Sequence, residues 1–284
     1  MNYENLIPSN FDLLIREWLK QDLPSFDIGG YVVGNKSSKA VLLGKSNGIL
    51  AGKPFFEKIF NFLDCKVEWL REEGSLIKPI TEIAYVTGPI NKLLIGERLA
   101  LNIITRASGV ATQANKIIEQ AKNLGFSGKI AGTRKTTPGF RLIEKYGLIV
   151  GGADTHRMDL SSMVMLKDNH IASAGSITKA VTKAKKISSV WTKIEVECKS
   201  LEQALEALNA GAEIVMLDNF TPSIAIETAI TIKKTWPKAI IEVSGGINKE
   251  NISNFYSNSI DIISLGILTT NYSPIDYSLK IVEK

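Results

Sequence analysis

The sequence predicts an α/β protein: a parallel α/β barrel, complete or incomplete, carrying a smaller amino-terminal α+β sandwich domain. Three observations predict it. Beyond residue 129, short apolar runs alternate with helical patterns, as strands joined by crossover helices do. Before residue 92, short alternating runs are separated by glycines and a Lys-Ser-Ser-Lys turn, which suits a small antiparallel sheet. Between them, residues 96–125 form the longest stretch of helical periodicity in the chain.

In the amino-terminal third, FDLLIREWLKQDL (11–23) sets Leu14, Ile15, Trp18 and Leu19 on one helical face, and Pro24 stops it. The runs YVVG (31–34), AVLLGK (40–45), CKVEWL (65–70) and EIAYVTG (82–88) read as strands. PFFEKIFNFL (54–63) opens with proline at a first helical position and reads as a helix on that sheet. In the long segment, Leu99, Ile103, Ala107, Val110, Ala114, Ile117, Ala121 and Leu124 recur at helical spacing. Ser108-Gly109 is expected to break or kink it, and Gly125 to cap it.

From residue 129 the expected strands are KIAGT (129–133), SMVMLK (162–167), KIEVEC (193–198), EIVMLD (213–218), AIIEVS (239–244) and DIISLG (261–266), with GLIVGG (147–152) as a further candidate. Thr137-Pro138, Ser200 with Gln203, and Thr221-Pro222 each look like a helix start, and Gly211 closes the helix that Ser200 begins. Strands joined this way run parallel with right-handed crossovers, so the sheet curls into a barrel or stays open with helices on both faces; six or seven strands in so short a span favour the barrel. Residues 1–107, with 272–284 returning to them, are expected to form the sandwich domain, and 108–271 the barrel.

Composition narrows the function. The 284 residues can bury a sizeable core, and 44% hydrophobic with 22% charged residues is ordinary globular usage. A net charge of +5, with Lys and Arg not in runs and only 7% aromatics, gives little support to nucleic-acid binding. The two cysteines, Cys65 and Cys198, have no paired spacing, which favours reduced thiols in a cytosolic protein. No apolar stretch approaches membrane-spanning length and no secretory pattern opens the chain, so a soluble cytoplasmic protein is expected.

Polar residues gather at the carboxyl ends of the expected strands, where parallel α/β folds place their sites. Thr133-Arg134-Lys135 follows the first and Lys167-Asp168 the second. Glu197 ends the third, Asp218 the fourth, Ser244-Gly245-Gly246 follows the fifth and Gly266 the last. In IEVEC the two-residue period puts Glu195 and Glu197 on one face, pointing into the barrel, where cations or ligand hydroxyls should meet them. Cations collected at strand ends suit a small molecule with several negative charges. Ser244-Gly245-Gly246, before a helix expected near Asn248, suits a phosphate. Plainer readings stand beside these. Arg134 and Lys135 could sit in a solvated loop, and Arg141 and Lys145 are surface charges on one helix, with Arg141 left open. His156-Arg157 could be structural, Lys167 could reach for solvent, and Glu197 with Asp218 could be a core polar pair. His170 reads as structural or supporting.

Seven segments, in order, resemble the quinolinate phosphoribosyltransferases: GERLALN (96–102), AGTRKTTPGFR (131–141), GGADTHRMDL (151–160), KDNHI (167–171), EVEC (195–198), MLDNF (216–220) and SGGI (244–247). The resemblance implies condensation of quinolinate with phosphoribosyl diphosphate, releasing diphosphate and carbon dioxide and giving nicotinate mononucleotide. By matching motif, it implies that Arg134, Lys135, His156 and Arg157 hold the quinolinate carboxylates, with Lys167 helping. Arg98 would reach a neighbouring subunit's site, so a homodimer or an assembly of dimers is implied. Glu197 and Asp218 would hold ribose hydroxyls and a Mg²⁺-linked network; Ser244, Gly245, Gly246 and Gly266 would bind the 5′-phosphate. Lys135, Glu197 and Asp218 are the candidate catalytic groups. Rival readings are a paralogous phosphoribosyltransferase acting on nicotinate or another base, a Schiff-base lyase using Lys167, and a non-catalytic phosphosugar-binding module.

Overall fold

A computed structural model describes residues 3–282. After a 3-10 turn at Tyr3–Leu6, the chain forms α1 (Phe11–Asp22), α2 (Ile28–Val33), β1 (Ser37–Gly44), β2 (Gly48–Ile49), α3 (Lys53–Phe62), β3 (Lys66–Trp69), β4 (Leu76–Ile77), β5 (Thr81–Pro89) and the long α4 (Ile90–Asn123). There follow β6 (Lys129–Ala131), α5 (Arg141–Val150), β7 (Val164–Leu166), α6 (Asp168–Ala174), α7 (Ile177–Ile187), β8 (Ile194–Cys198), α8 (Leu201–Ala210) and β9 (Ile214–Asp218). The chain ends with α9 (Pro222–Thr235), β10 (Ile240–Ser244), a 3-10 turn at Ile252–Phe255, β11 (Ile262–Ser264), α10 (Ile267–Thr270) and β12 (Tyr277–Ile281).

Two compact units result. The first comprises residues 1–115, 139–152 and 272–284; the second comprises 116–138 and 153–271. In the first, an antiparallel sheet runs β12-β1-β5-β3, so β12 pairs with β1. Of the segment expected to return, residues 283 and 284 lie outside the described residues, as do residues 1 and 2. The helix α3 packs an aromatic core here: Phe55 meets Phe11 at 5.0 Å between ring centres and Tyr146 edge-on at 4.8 Å. Glu73 caps α3 by accepting the Gly52 N–H at 2.6 Å, and Tyr146 Oη donates to it at 2.8 Å.

The second unit holds a six-stranded parallel sheet in the order β6-β11-β10-β9-β8-β7. Among the described residues β6 and β7 do not pair, so the barrel is incomplete. Buried β-branched residues such as Val196, Val215, Ile241 and Ile263 pack these strands.

Local chemistry accounts for most boundaries. Ser200 Oγ accepts the Gln203 N–H at the start of α8, and Gly211 closes that helix in the left-handed region at φ 97°. α4 ends as expected: Gly125 at φ 78° donates to the Lys122 carbonyl and Phe126 N–H to that of Ala121, a Schellman arrangement.

Several expectations are corrected. α4 runs unbroken through Ser108-Gly109. Gly109 is small because Tyr272 and the Ser273 carbonyl press against it, while Ser108 Oγ bonds the Ala51 main chain and Tyr277 Oη. Of YVVG, Tyr31–Val33 end helix α2 and Gly34 follows it, so the first strand begins only at Ser37. GLIVGG is the end of helix α5, whose Gly147 and Gly151 lie so close to the Ala107 and Ala111 carbonyls that a side chain would not fit. That helix starts at Arg141, three residues beyond Pro138, without a side-chain cap. Lys145 is buried rather than on the surface. The phosphate-cradle candidate leads into turns and a 3-10 helix at Ile252–Phe255, not an α-helix near Asn248. On α1 the buried face is Phe11 and Ile15, with Leu14 exposed.

Candidate active site

The carboxyl ends of the barrel strands surround a cavity of about 600 Å³. Arg134, Lys135, His156, Arg157 and Lys167 line it, together with Asp218, Ser244, Gly245, Gly246 and Gly266. The structure thus collects ten of the residues singled out from sequence. Two stand apart from the lining. Glu197 is 8% exposed and is reached through Lys167, whose ammonium it binds. Arg98 is exposed on α4, in the first unit.

Each group is placed by its strand. Arg134 and Lys135 follow β6, where Lys135 N–H donates to Thr133 Oγ1 at 3.0 Å and its carbonyl accepts Thr269 Oγ1 at 2.7 Å. The Arg134 Nε is buried and has no hydrogen-bond partner among the described residues, so a ligand acceptor is the natural complement. Burial and the neighbouring Arg134 guanidinium hold Arg157 below its ordinary value. Two guanidiniums share one small volume, which favours an anion between them. Lys167 opens α6, and its N–H donates to His170 Nδ1 at 3.0 Å, so His170 caps a helix and is structural. A Schiff-base lysine works as a free amine; Lys167 instead holds a carboxylate.

Facing these cations is an acidic half. In β8, all five residues of IEVEC are buried. Burial and then Glu242 push the Glu195 carboxyl up to about 9. Neither of its oxygens has a hydrogen-bond partner among the described residues, and a Glu242 carboxylate oxygen lies within 4.8 Å of one of them. Burial and then Glu197 also raise Asp218 at the end of β9. The thiol of Cys198 is pushed up to about 12 by burial and then by Glu197 and Glu195, which leaves it inert. Gly245 adopts φ 91°, and any side chain there would run into Asn219, so this turn admits only glycine beside the cavity.

Sequence reasoning missed Glu242, Ser264 and Asn219. Glu242 sits in IIEVS as Glu195 sits in IEVEC, an acidic residue among apolar neighbours on the inward period of a strand, and that signal would have found it. It joins His156 at 3.1 Å and accepts Ser264 Oγ at 2.6 Å.

A parallel barrel whose strand ends set guanidinium and ammonium groups against buried carboxylates and a glycine turn defines an enzyme that works on small polyanions. The comparisons narrow that class. The family model described as quinolinate phosphoribosyl transferase, C-terminal domain, matches residues 110–280, and its N-terminal counterpart matches 25–108. The nicotinate-nucleotide pyrophosphorylase [carboxylating] of Rattus norvegicus is 49% identical over 97% of this chain and 92% of its own length. Its Homo sapiens counterpart is 47% identical over 98% and 94%. The solved nicotinate-nucleotide pyrophosphorylase of Francisella tularensis superposes with a TM-score of 0.89 at 34% identity, covering 99% of this chain and 100% of that one. The chain belongs to the quinolinate phosphoribosyltransferase family.

Proposed function

We propose that this chain transfers the phosphoribosyl group of phosphoribosyl diphosphate to the ring nitrogen of quinolinate, with loss of carbon dioxide. The products are nicotinate mononucleotide, diphosphate and CO2. The observation that carries this is the cavity itself: Arg134, Lys135, Arg157 and Lys167 on one side, and Asp218 with the Ser244-Gly245-Gly246 turn and Gly266 on the other. A planar dicarboxylate is best gripped by arginine forks that cannot lose their charge. Arg134 and Arg157 take that role, with Lys135 and Lys167 adding charge. The Ser244–Gly246 turn and Gly266 supply main-chain N–H groups for the 5′-phosphate.

As the C1–O bond to diphosphate breaks, positive charge develops on the ribose ring, and Glu197 and Asp218 stabilise it electrostatically. Holding the pyridine nitrogen against C1 supplies the entropic share of the acceleration. Once alkylated, that nitrogen draws in the electron pair of the adjacent C–CO2⁻ bond; CO2 leaves and the ring carbon takes a proton. No organic cofactor is needed.

Magnesium fits this reading: burial and then the neighbouring Glu197 raise Asp218, and a hard divalent cation beside these oxygen donors would relieve both. Glu197 and Asp218 would hold the ion and the ribose hydroxyls, and when bound it would neutralise charge on the departing diphosphate. The reading includes a homodimer or an assembly of dimers that shares Arg98 between chains, since Arg98 is exposed and does not line its own chain's cavity. It also includes the cytoplasm, which buried, unpaired Cys65 and Cys198 suit; no helix among the described residues is long and apolar enough to cross a membrane. The deciding experiment measures diphosphate and CO2 released from phosphoribosyl diphosphate with quinolinate or nicotinate. Equal release of both products with quinolinate is expected; turnover of nicotinate alone would transfer the site to the paralogous activity.

A further inference from the structure

Among the described residues lining the cavity, two non-glycine residues have a left-handed backbone, Asn219 at φ 59° and, on the cationic side, His156 at φ 54°. Such a conformation is unfavourable for a side chain of this size and persists only where its surroundings hold it. Here they do. Asp154 Oδ1 accepts the His156 N–H at 2.6 Å, and Thr155 Oγ1 donates to the His156 carbonyl at 2.9 Å. The ring is held at both ends. The Arg157 main-chain N–H donates to Nδ1 at 2.7 Å, and Nε2 lies 3.1 Å from Glu242 Oε2.

These two contacts fix the proton. A main-chain N–H can only donate, so Nδ1 presents its lone pair and carries no hydrogen. The ring hydrogen therefore sits on Nε2 and points at Glu242, whose other oxygen accepts Ser264 Oγ at 2.6 Å. Protonating Nδ1 would set N–H against N–H across 2.7 Å and break the bond that shapes the main chain at Arg157. Both ring nitrogens thus have partners within the protein. His156, Glu195 and Glu242 also bring three possible ligand atoms within 4.8 Å of one another, but an Nε2 that donates has no lone pair for a cation.

We infer that Glu242 is a positioning residue: it fixes His156 as the neutral Nε2–H tautomer and, through that ring, the main chain that presents Arg157 to the dicarboxylate. This rests on the cavity being the quinolinate site, and it gives His156 the further task of supporting Arg157 from behind. Ser264 Oγ lies 2.9 Å from Ser244 Oγ, so the same chain of hydrogen bonds continues to the glycine turn.

The protein has two histidines, so ¹⁵N-labelled histidine gives two side-chain spin systems, and His170→Gln assigns them. In the unliganded full-length protein near neutral pH, His156 is expected to show a proton on Nε2 and a bare Nδ1. Glu242→Leu should disturb that tautomer and raise the quinolinate KM about tenfold or more, and the KM for phosphoribosyl diphosphate clearly less, because the phosphate turn is reached only through Ser264 and Ser244. Glu242→Gln, whose amide oxygen can accept the same N–H, should recover most of the loss. An imidazolium or an Nδ1–H tautomer in the wild type overturns the inference. So does a Leu variant in which both KM values rise together or quinolinate KM stays unchanged. If Glu242→Leu does not fold, the wild-type spectrum and the Gln variant decide. A wild type inactive on quinolinate would sink the functional reading instead, and the spectrum is read without turnover.

Discussion

Lys167 and Glu197 meet ammonium to carboxylate between the ends of the neighbouring strands β7 and β8, and this pair ties the cationic half of the cavity to the acidic half. Lys167 is half exposed while Glu197 is nearly buried, so the pair matters more for placing charge than for holding the fold. Lys167→Met leaves the nearly buried Glu197 carboxylate without its cation and should cost about 1–3 kcal/mol of stability. It should lower kcat/KM about tenfold or more, because Glu197 loses its partner as well as the substrates losing a cation. Thermal melts and steady-state kinetics check both. A stable variant with wild-type kinetics would remove Lys167 from the site.

Glu195 gives a pH signature. Its carboxyl is raised from about 4.5 to about 9, so between those values the unfolded chain ionises it and the folded chain keeps the proton. The folded state then binds more protons, and its stability falls as pH rises through that window. Glu195→Gln removes the slope. Its melting temperature should match wild type near about pH 5 and exceed it increasingly towards about pH 9. Parallel curves would show that Glu195 ionises normally.

Gly245→Ala tests the phosphate turn. Positive φ and the Asn219 side chain both oppose a methyl group there, at a cost of about 1–3 kcal/mol. The KM for phosphoribosyl diphosphate should rise by more than that for quinolinate. The reverse order would move the phosphate elsewhere.

Arg157→Ala should cut turnover about a hundredfold or more, the order that a desolvated charge-assisted contact supplies, with the fold intact. If sites are completed between chains, mixing inactive Arg98→Ala and Arg157→Ala subunits should recover part of the activity through the hybrids that carry one intact site. No recovery after subunit exchange would show that each chain works alone.

Much of this was legible in the sequence because strand ends announce themselves. Short, mainly apolar runs that stop at Lys167, Asp218 or Ser244 predicted both the strands and the side on which their polar tips collect. GLIVGG is a candidate strand by sequence because a short apolar run fits either period, and only its contact with Ala107 and Ala111 shows that its glycines serve helix packing. The partnership of His156 with Glu242 joins residues 86 positions apart. Nothing local to either marks it, and the left-handed backbone at His156 has no sequence signature of the kind that glycine provides.

The chain passes between its two units four times, at 115/116, 138/139, 152/153 and 271/272. No single cut can therefore free one unit with its whole sequence attached. A split after residue 108, where the two family models part, would sever α4 and strand α5 on the wrong fragment. Neither half should be recoverable alone as a well-behaved soluble piece. Gene fusions and permutations of this enzyme would have to respect an interleaving that a linear domain diagram conceals.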